Sequence, residues 1–221
     1  MLRVGLTGDL GSGKSTVARM FAERGAVVLS SDEMGRAMMQ PGEAVYTAIA
    51  ERFGKGVVAP DGSLDRRELA RLVFDEGRAE ELNAIVHPAV IGEQARLIGE
   101  IARTKPDAIV VVESALIFTT KHAPSGEPWS KRFDRVVLVT APEAEKISRY
   151  VERVTAGRAP SAEERGSLEA DARRRLDLQA VNEEHAAECL VICNDEGLEA
   201  LEQKVEAVWS QLEHLRGGQT R

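Results

Sequence analysis

The residues Gly8-Asp9-Leu10-Gly11-Ser12-Gly13-Lys14-Ser15-Thr16 are the stretch whose types and spacing most clearly imply chemistry. They fit the pattern G-x-x-x-x-G-K-[ST], in which successive backbone N–H groups and a helix N-terminus surround a phosphate. Glycines let the backbone curl around phosphate oxygens without side-chain obstruction. Lys14 supplies a point charge and the Ser15 hydroxyl a ligand for Mg²⁺. Gly11, Ser12, Gly13, Lys14, Ser15 and Thr16 are therefore the candidate nucleotide-binding residues, with Ser15 the candidate metal ligand.

Such a loop works only between a strand and a helix. Leu2 to Thr7 reads as a short, mostly apolar strand. After the loop, Val17, Met20 and Phe21 recur at helical spacing, and Gly25 is placed to end the helix. Ala26 to Ser30 reads as a second strand, which completes a βαβ unit. Such units build parallel sheets whose ligands sit at the C-terminal ends of the strands. This puts Asp32 on the same rim as Lys14. Asp32 is suited to accept the proton of a hydroxyl that attacks a phosphoryl group. It is also suited to cap the next helix.

Residues 41 to about 104 read as mostly helical. Apolar residues recur at Ala44, Ile49 and Phe53, then at Leu69, Leu72, Val73 and Phe74, then at Leu82, Ile85 and Val86. A long helix is expected from about Ala89 to Arg103, after His87-Pro88. The block is too long for a plain crossover and reads as a helical insertion that shapes a substrate pocket. Ala108 to Glu113 is a β-branched run of the kind parallel sheets bury. Glu113 at its end is either a partner of Mg²⁺ through water or a paired strand-end carboxylate. Thr119 to Lys131, with Pro124, Gly126 and Pro128, reads as a loop. Arg135 to Val139 is the next strand, and Pro142 begins another helical stretch.

Residues 146 to 177 are rich in arginine, with Arg149 and Arg153 foremost. They read as a lid that brings guanidinium groups to the transferring phosphoryl, or as a solvated helix with Glu–Arg pairs. His87 alone suggests a hydrogen-bonded structural residue rather than a catalyst. Trp129 and Trp209 are expected to form no aromatic cluster. Cys189 to Cys193 reads as a final strand with both thiols buried, followed by a helix with an apolar stripe from Leu198 to Leu212. From Gly217 a disordered tail is expected.

At 221 residues, 43% hydrophobic and 29% charged, the composition is globular. The formal charge of −7 argues against a mainly electrostatic nucleic-acid or membrane partner. No apolar run approaches the ~20 residues of a transmembrane helix. The N-terminus enters the first strand directly, which leaves no room for a signal peptide. With unpaired thiols, these features predict a cytoplasmic protein. The N-K-x-D motif of guanine-reading switches is missing, which favours a small-molecule kinase.

With these residues together, the chain resembles the dephospho-CoA kinases. The likeness covers the loop, then Ser30-Ser31-Asp32 with Arg36, and then three runs inside the helical insertion: Ile49 to Gly54, Asp61 to Arg66, and Leu82 to Pro88. It reappears more weakly around Val136 to Arg153 and at Asn194. The chain departs from the family pattern at Ser30, where an Asp is usual, and at Ala115 to Thr119. The resemblance implies ATP-dependent phosphorylation of the ribose 3′-hydroxyl of dephospho-CoA. It implies Asp32 as proton acceptor, Lys14 and the loop amides on the ATP phosphates, and Mg²⁺ on Ser15. Arg36 and His87 would border the dephospho-CoA pocket, and Arg149 and Arg153 would belong to the lid, with Arg153 catalytic.

The expected fold is a three-layer α/β P-loop kinase fold with a parallel sheet. A single domain is expected, with its core at about 1–33, 105–145 and 186–216, the substrate-binding insertion at about 34–104 and the lid at about 146–177. A monomer or small homo-oligomer with no nucleic-acid or membrane partner is expected. The competing readings are another small-molecule or nucleoside monophosphate kinase of the same fold, and a nucleotide-binding protein without transfer activity.

Overall fold

A computed structural model describes residues 1–120, 123 and 126–218, apart from the Phe74 side chain. Pro124 of the expected loop and residues 219–221 of the expected tail lie outside the described residues. In chain order the elements are β1 (Leu2–Gly8), α1 (Lys14–Glu23), β2 (Val27–Ser30), α2 (Ser31–Met38), α3 (Ala44–Phe53), α4 (Arg66–Phe74), α5 (Ala79–Thr104), β3 (Ile109–Glu113), α6 (Trp129–Arg132), β4 (Arg135–Thr140), α7 (Glu143–Val154), α8 (Ala162–Asp177), α9 (Val181–Glu184), β5 (Leu190–Cys193) and α10 (Leu198–Gly218). They form two compact units. One comprises Met1–Leu29, Ile101–Thr119 and Trp129–Arg221, and the other Ser30–Glu100 and Thr120–Pro128.

The first unit is built on a five-stranded parallel sheet in the order β2-β3-β1-β4-β5, flanked by helices. β1 pairs with β3 from Leu2↔Ile109 to Leu6↔Glu113 and with β4 from Val4↔Arg135 to Gly8↔Val139. The chain runs from β1 to β2 and β3 on one side, then crosses to β4 and β5 on the other. The C-terminal end of β1 is thus the switch point at which open α/β sheets bind ligands. Leu2, Val4 and Leu6 alternate onto one face, where they join Val17 and Phe21 of α1 and Val205 and Leu212 of α10 in the main core. α10 extends to Gly218, so Gly217, expected to begin the tail, is helical.

The second unit has its own core of Val45, Ile49, Phe53, Val57, Leu69, Leu72 and Val73, with Leu82, Ile85 and Val86 of α5 packed against it. Asp65 caps α4 by accepting from the N–H groups of Arg67 and Glu68, both at 3.0 Å. The helix expected to begin after Pro88 begins at Ala79, with Pro88 inside it. Proline in a helix interior deletes one hydrogen bond, here the one to the Ala84 carbonyl. Ala84 is exposed, so water can take that bond, and the apolar face of α5 holds the helix together across it.

Two smaller expectations are corrected. Trp129 belongs to α6 and stands edge-on to Phe118 (5.0 Å between centroids), whose ring stacks on His185 at 4.4 Å, so it does form an aromatic cluster. Trp209 packs against Phe21 in the main core instead. Cys189 and Cys193 are free but only half-buried, because β5 is the sheet's edge strand. Burial and the neighbouring Glu188 push the Cys189 thiol up to about 11.

Candidate active site

The loop between β1 and α1 lies at the C-terminal end of the central strand. Gly13, the residue before α1, is left-handed at φ 95°, and no side chain caps the helix. The Thr16 N–H donates to the Gly13 carbonyl at 3.0 Å, and no side chain competes for the remaining N–H groups at the start of α1, which suits an anion there. The Ser15 hydroxyl donates to Glu113 Oε1 at 2.7 Å, and Lys14 Nζ lies 3.9 Å from the same oxygen. Glu113 ends β3, the neighbour of β1, so sheet register alone delivers its carboxylate to the loop. This gives one cation, one hydroxyl and one carboxylate at the mouth of an anion-binding loop.

The loop is held from behind by residues far away in sequence. Asp9 Oδ2 accepts from Lys146 Nζ at 2.7 Å, and Asp9 Oδ1 accepts from Asn182 Nδ2 at 2.8 Å, all buried. The Leu10 N–H donates to Gln179 Oε1 at 2.7 Å. Asn194 Nδ2 donates to the Ser12 carbonyl at 2.9 Å. A side chain at Gly11 would collide with the Lys146 carbonyl and one at Gly13 with the Asn194 amide, so both positions exclude a Cβ. Asp9, Gln179 and Asn182 were not singled out from the sequence. Lys146 entered only as the start of the arginine-rich stretch, and Asn194 only through the family likeness.

Arg149 on α7 donates to the Gly11 carbonyl (3.4 Å) and the Asn194 carbonyl (3.2 Å), which brings it to the loop. Arg153 is exposed and lies over the Tyr150 ring at 5.8 Å. Tyr150 donates to Asp171 of α8 at 2.6 Å and packs with Ile147, Val151, Ala172 and Leu10, which ties α7 to α8. Burial opposes ionisation of Asp171, but the Tyr150 hydroxyl and the Arg175 and Arg174 guanidiniums hold it below the usual carboxylate range. Arg158 pairs with Glu164, Arg173 with Glu169, and Arg174 and Arg175 with Asp171.

Asp32, Arg36 and His87 belong to the second unit. Ser30, not Asp32, is the N-cap of α2 and accepts from the Glu33 N–H at 3.4 Å. Asp32 sits in the first turn with its side chain exposed, so the capping alternative for it fails. Arg36 Nε donates to the Asp32 carbonyl at 3.2 Å. A cavity of about 530 Å³ within this unit is lined by Arg36, Met39, Leu64, Arg66, Leu69 and Leu82, among others. His87 is half-buried on α5.

Sheet order, loop position and the uncapped helix define a P-loop kinase. The comparisons with known proteins narrow the class. Residues 2–200 match the model of the family described as dephospho-CoA kinase (CoaE), and the chain belongs to that family. It is 39% identical over 216 residues to a dephospho-CoA kinase of Streptomyces avermitilis, covering 97% of this chain and 95% of that one. It is 38% identical over 215 residues to that of Thermobifida fusca, covering 96% and 97%. Among solved structures it is similar to TT1252 from Thermus thermophilus, with a TM-score of 0.70 and 31% identity over 96% of this chain and 97% of that one. The family's reaction, ATP-dependent phosphorylation of dephospho-CoA in coenzyme A synthesis, is the activity of this chain. Among the described residues no helix is long and apolar enough to cross a membrane.

Proposed function

We propose that the chain transfers the γ-phosphoryl of ATP to the ribose 3′-hydroxyl of dephospho-CoA, with Asp32 as proton acceptor. The 3′-oxygen attacks phosphorus in line, the bond to the β–γ bridging oxygen breaks, and the hydroxyl proton passes to the Asp32 carboxylate, leaving ADP and coenzyme A. The order of the chain supports this role. Asp32 follows the C-terminal end of β2, a strand of the same sheet, and Ser30 has already taken the capping role. Lys14 and the amides of Gly11, Gly13, Lys14 and Ser15 hold the triphosphate, Arg149 steadies the loop from α7, and Arg153, exposed over the Tyr150 ring, meets the transferring group.

The observation that carries the reading is the Ser15–Glu113 pair beside Lys14. Two hard oxygen donors 2.7 Å apart suit Mg²⁺, which takes few protein ligands and completes its shell with water and phosphate oxygens. Ser15 would ligate it directly and Glu113 through water. Bound there, Mg²⁺ would neutralise charge on the β- and γ-phosphate oxygens. On the acceptor side, the apolar wall of the second unit's cavity suits an extended aliphatic arm, Arg36 and Arg66 suit its phosphates, and His87 is assigned to the same side. A reducing cytoplasm and a monomer or small homo-oligomer fit a chain with two free thiols.

The test is ATP consumption with and without dephospho-CoA, alongside a panel of nucleoside monophosphates, with the product's phosphate located by ³¹P NMR. Asp32→Asn is expected to keep ATP affinity while kcat falls ~10²-fold or more, as loss of a general base implies. Unchanged turnover would remove Asp32 from the chemistry. Stimulation by another acceptor and not by dephospho-CoA would overturn the substrate.

A further inference from the structure

A carboxylate in a loop that receives a triphosphate is electrostatically wrong. Asp9 is such a carboxylate. It is the first residue after β1, with 6% of its surface exposed, and its backbone carbonyl accepts from the Ser12 N–H at 3.1 Å inside the loop. Like charges near each other in a poorly solvated region repel, and Asp9, 6% exposed, has little water to screen it. Among the described residues the cation at the Asp9 carboxylate is Lys146, with Nζ at 2.7 Å and the residue 7% exposed, and Asn182 fills its other oxygen at 2.8 Å. The second cation on this side of α7, Arg149, is directed to the carbonyls of Gly11 and Asn194 instead.

We propose that Lys146 is a positioning residue for ATP, acting through Asp9: it cancels the loop's own negative charge and fixes the loop's rear wall. Two further contacts give it this reach. The Lys146 carbonyl occupies the space a side chain at Gly11 would need, so the first turn of α7 and the loop backbone touch directly. Leu10, between Asp9 and Gly11, is held by Gln179 at its N–H and packs against the apolar cluster of Ile147, Tyr150 and Val151 of α7 with Ala172 of α8. Residues 9 to 11 are thus gripped together, and the ion pair is the charged member of the grip.

The inference rests on ATP seating its phosphates in this loop, and the test separates the two ideas. In the full-length protein, Lys146→Met leaves the Asp9 carboxylate buried without its cation. It should raise KM for ATP ~10-fold or more, with KM for dephospho-CoA unmoved and kcat at saturating ATP within ~3-fold. The double variant Asp9→Asn/Lys146→Met removes both charges and should return KM for ATP to within ~3-fold of the original. Lys146→Met should also regain ATP affinity relative to the original protein as pH falls, because a buried carboxylate without a cation takes up a proton more readily. The double variant should lack that pH dependence, which a purely structural defect would not produce. If Lys146→Met does not fold, Lys146→Gln removes the charge while keeping an N–H donor and carries the same expectation. A double variant as poor as the single, or a single with unchanged KM for ATP, overturns the proposal. Failure of the unsubstituted protein to bind ATP would instead sink the loop assignment.

Discussion

Around the loop, Asp9, Lys146 and Asn182 close a polar network whose ion pair has side-chain exposures of only 7% and 9%. Helices of the second unit carry ion pairs in the open: Arg71 reaches Glu68 and Glu76, and Arg96 reaches Glu93 and Glu100, with both arginines about half exposed, while Arg78–Glu81 is about a quarter exposed. The contrast follows from what each region must do. A loop that binds a polyanion must present fixed donors in one geometry, so it is braced by groups that cannot relax into water. A helical unit with its own apolar core gains its shape from packing, and its surface charges serve chiefly solubility. If the contrast is real, substitutions at the loop should change function, while those at the surface pairs should change almost nothing.

The largest expected effect is at Lys14. Its Nζ has Glu113 as a distant partner at 3.9 Å, so it is not spent on a tight ion pair. Lys14→Ala should lower kcat/KM by ~10³-fold and weaken ATP binding as measured by calorimetry, since a fixed donor to developing phosphoryl charge is lost. Equal ATP affinity would contradict the phosphate assignment and remove the loop side of the comparison.

How well each region reads from sequence follows the same division. The loop is legible because its signature is local: the left-handed glycines Gly11 and Gly13 and the side chains of Lys14 and Ser15 fall within five consecutive residues. The strand–loop–helix order and the parallel sheet are likewise legible, because βαβ units write their hydrophobic pattern into short stretches. The brace is not legible. Asp9 and Lys146 lie 137 residues apart, and neither carries a local signature that names the other. The start of α5 was misread because Pro88 is a local stop signal, and the apolar face running from Leu82 through Val90 outweighs it. Asp32 reads as a base or a cap from sequence alone, and only the observed Ser30 cap removes one choice. The second unit's cavity draws its lining from α2, α4 and α5, a convergence that periodicity cannot reveal.

An intermediate case sharpens the contrast. Arg3 on β1 donates to both carboxylate oxygens of Asp134, at 3.2 and 2.8 Å, and its backbone N–H donates to Oδ2 at 2.7 Å. The side chains are 35% and 21% exposed, between the two extremes. Burial pushes the Asp134 carboxyl up, but the Arg3 bonds and charge outweigh it and hold it below its ordinary 3.8. A carboxylate with a lowered folded-state pKa stabilises the fold above its unfolded value and loses that contribution as pH falls through the folded one. Asp134→Asn should therefore cost about 1 kcal/mol at pH 7 in denaturant unfolding, after allowance for solvent screening. The difference from the unsubstituted protein should shrink as pH drops below ~4. A gap that persists unchanged at low pH would mean the Asp134 side chain acts by shape rather than charge.

The smallest effect is expected at Glu93 on α5. It pairs with Arg96 at 2.6 Å, one helical turn away, and the hydrogen bond from Arg96 holds its carboxyl below the ordinary 4.5. The direction of that shift makes the pair favourable above the ordinary value, as at Asp134. Here, however, the Arg96 side chain is 53% exposed, so water and salt screen the attraction and the two long side chains give up rotamer freedom to meet. Arg96 also keeps Glu100 as a second partner, so loss of Glu93 leaves no buried or solitary charge. Glu93→Gln should shift Tm by no more than about 1 °C at low salt and by nothing measurable at ~0.5 M salt, with both KM values unmoved. A larger, salt-resistant loss would place Glu93 in the same category as Asp9, and the distinction between a braced loop and a loosely charged helical surface would no longer hold.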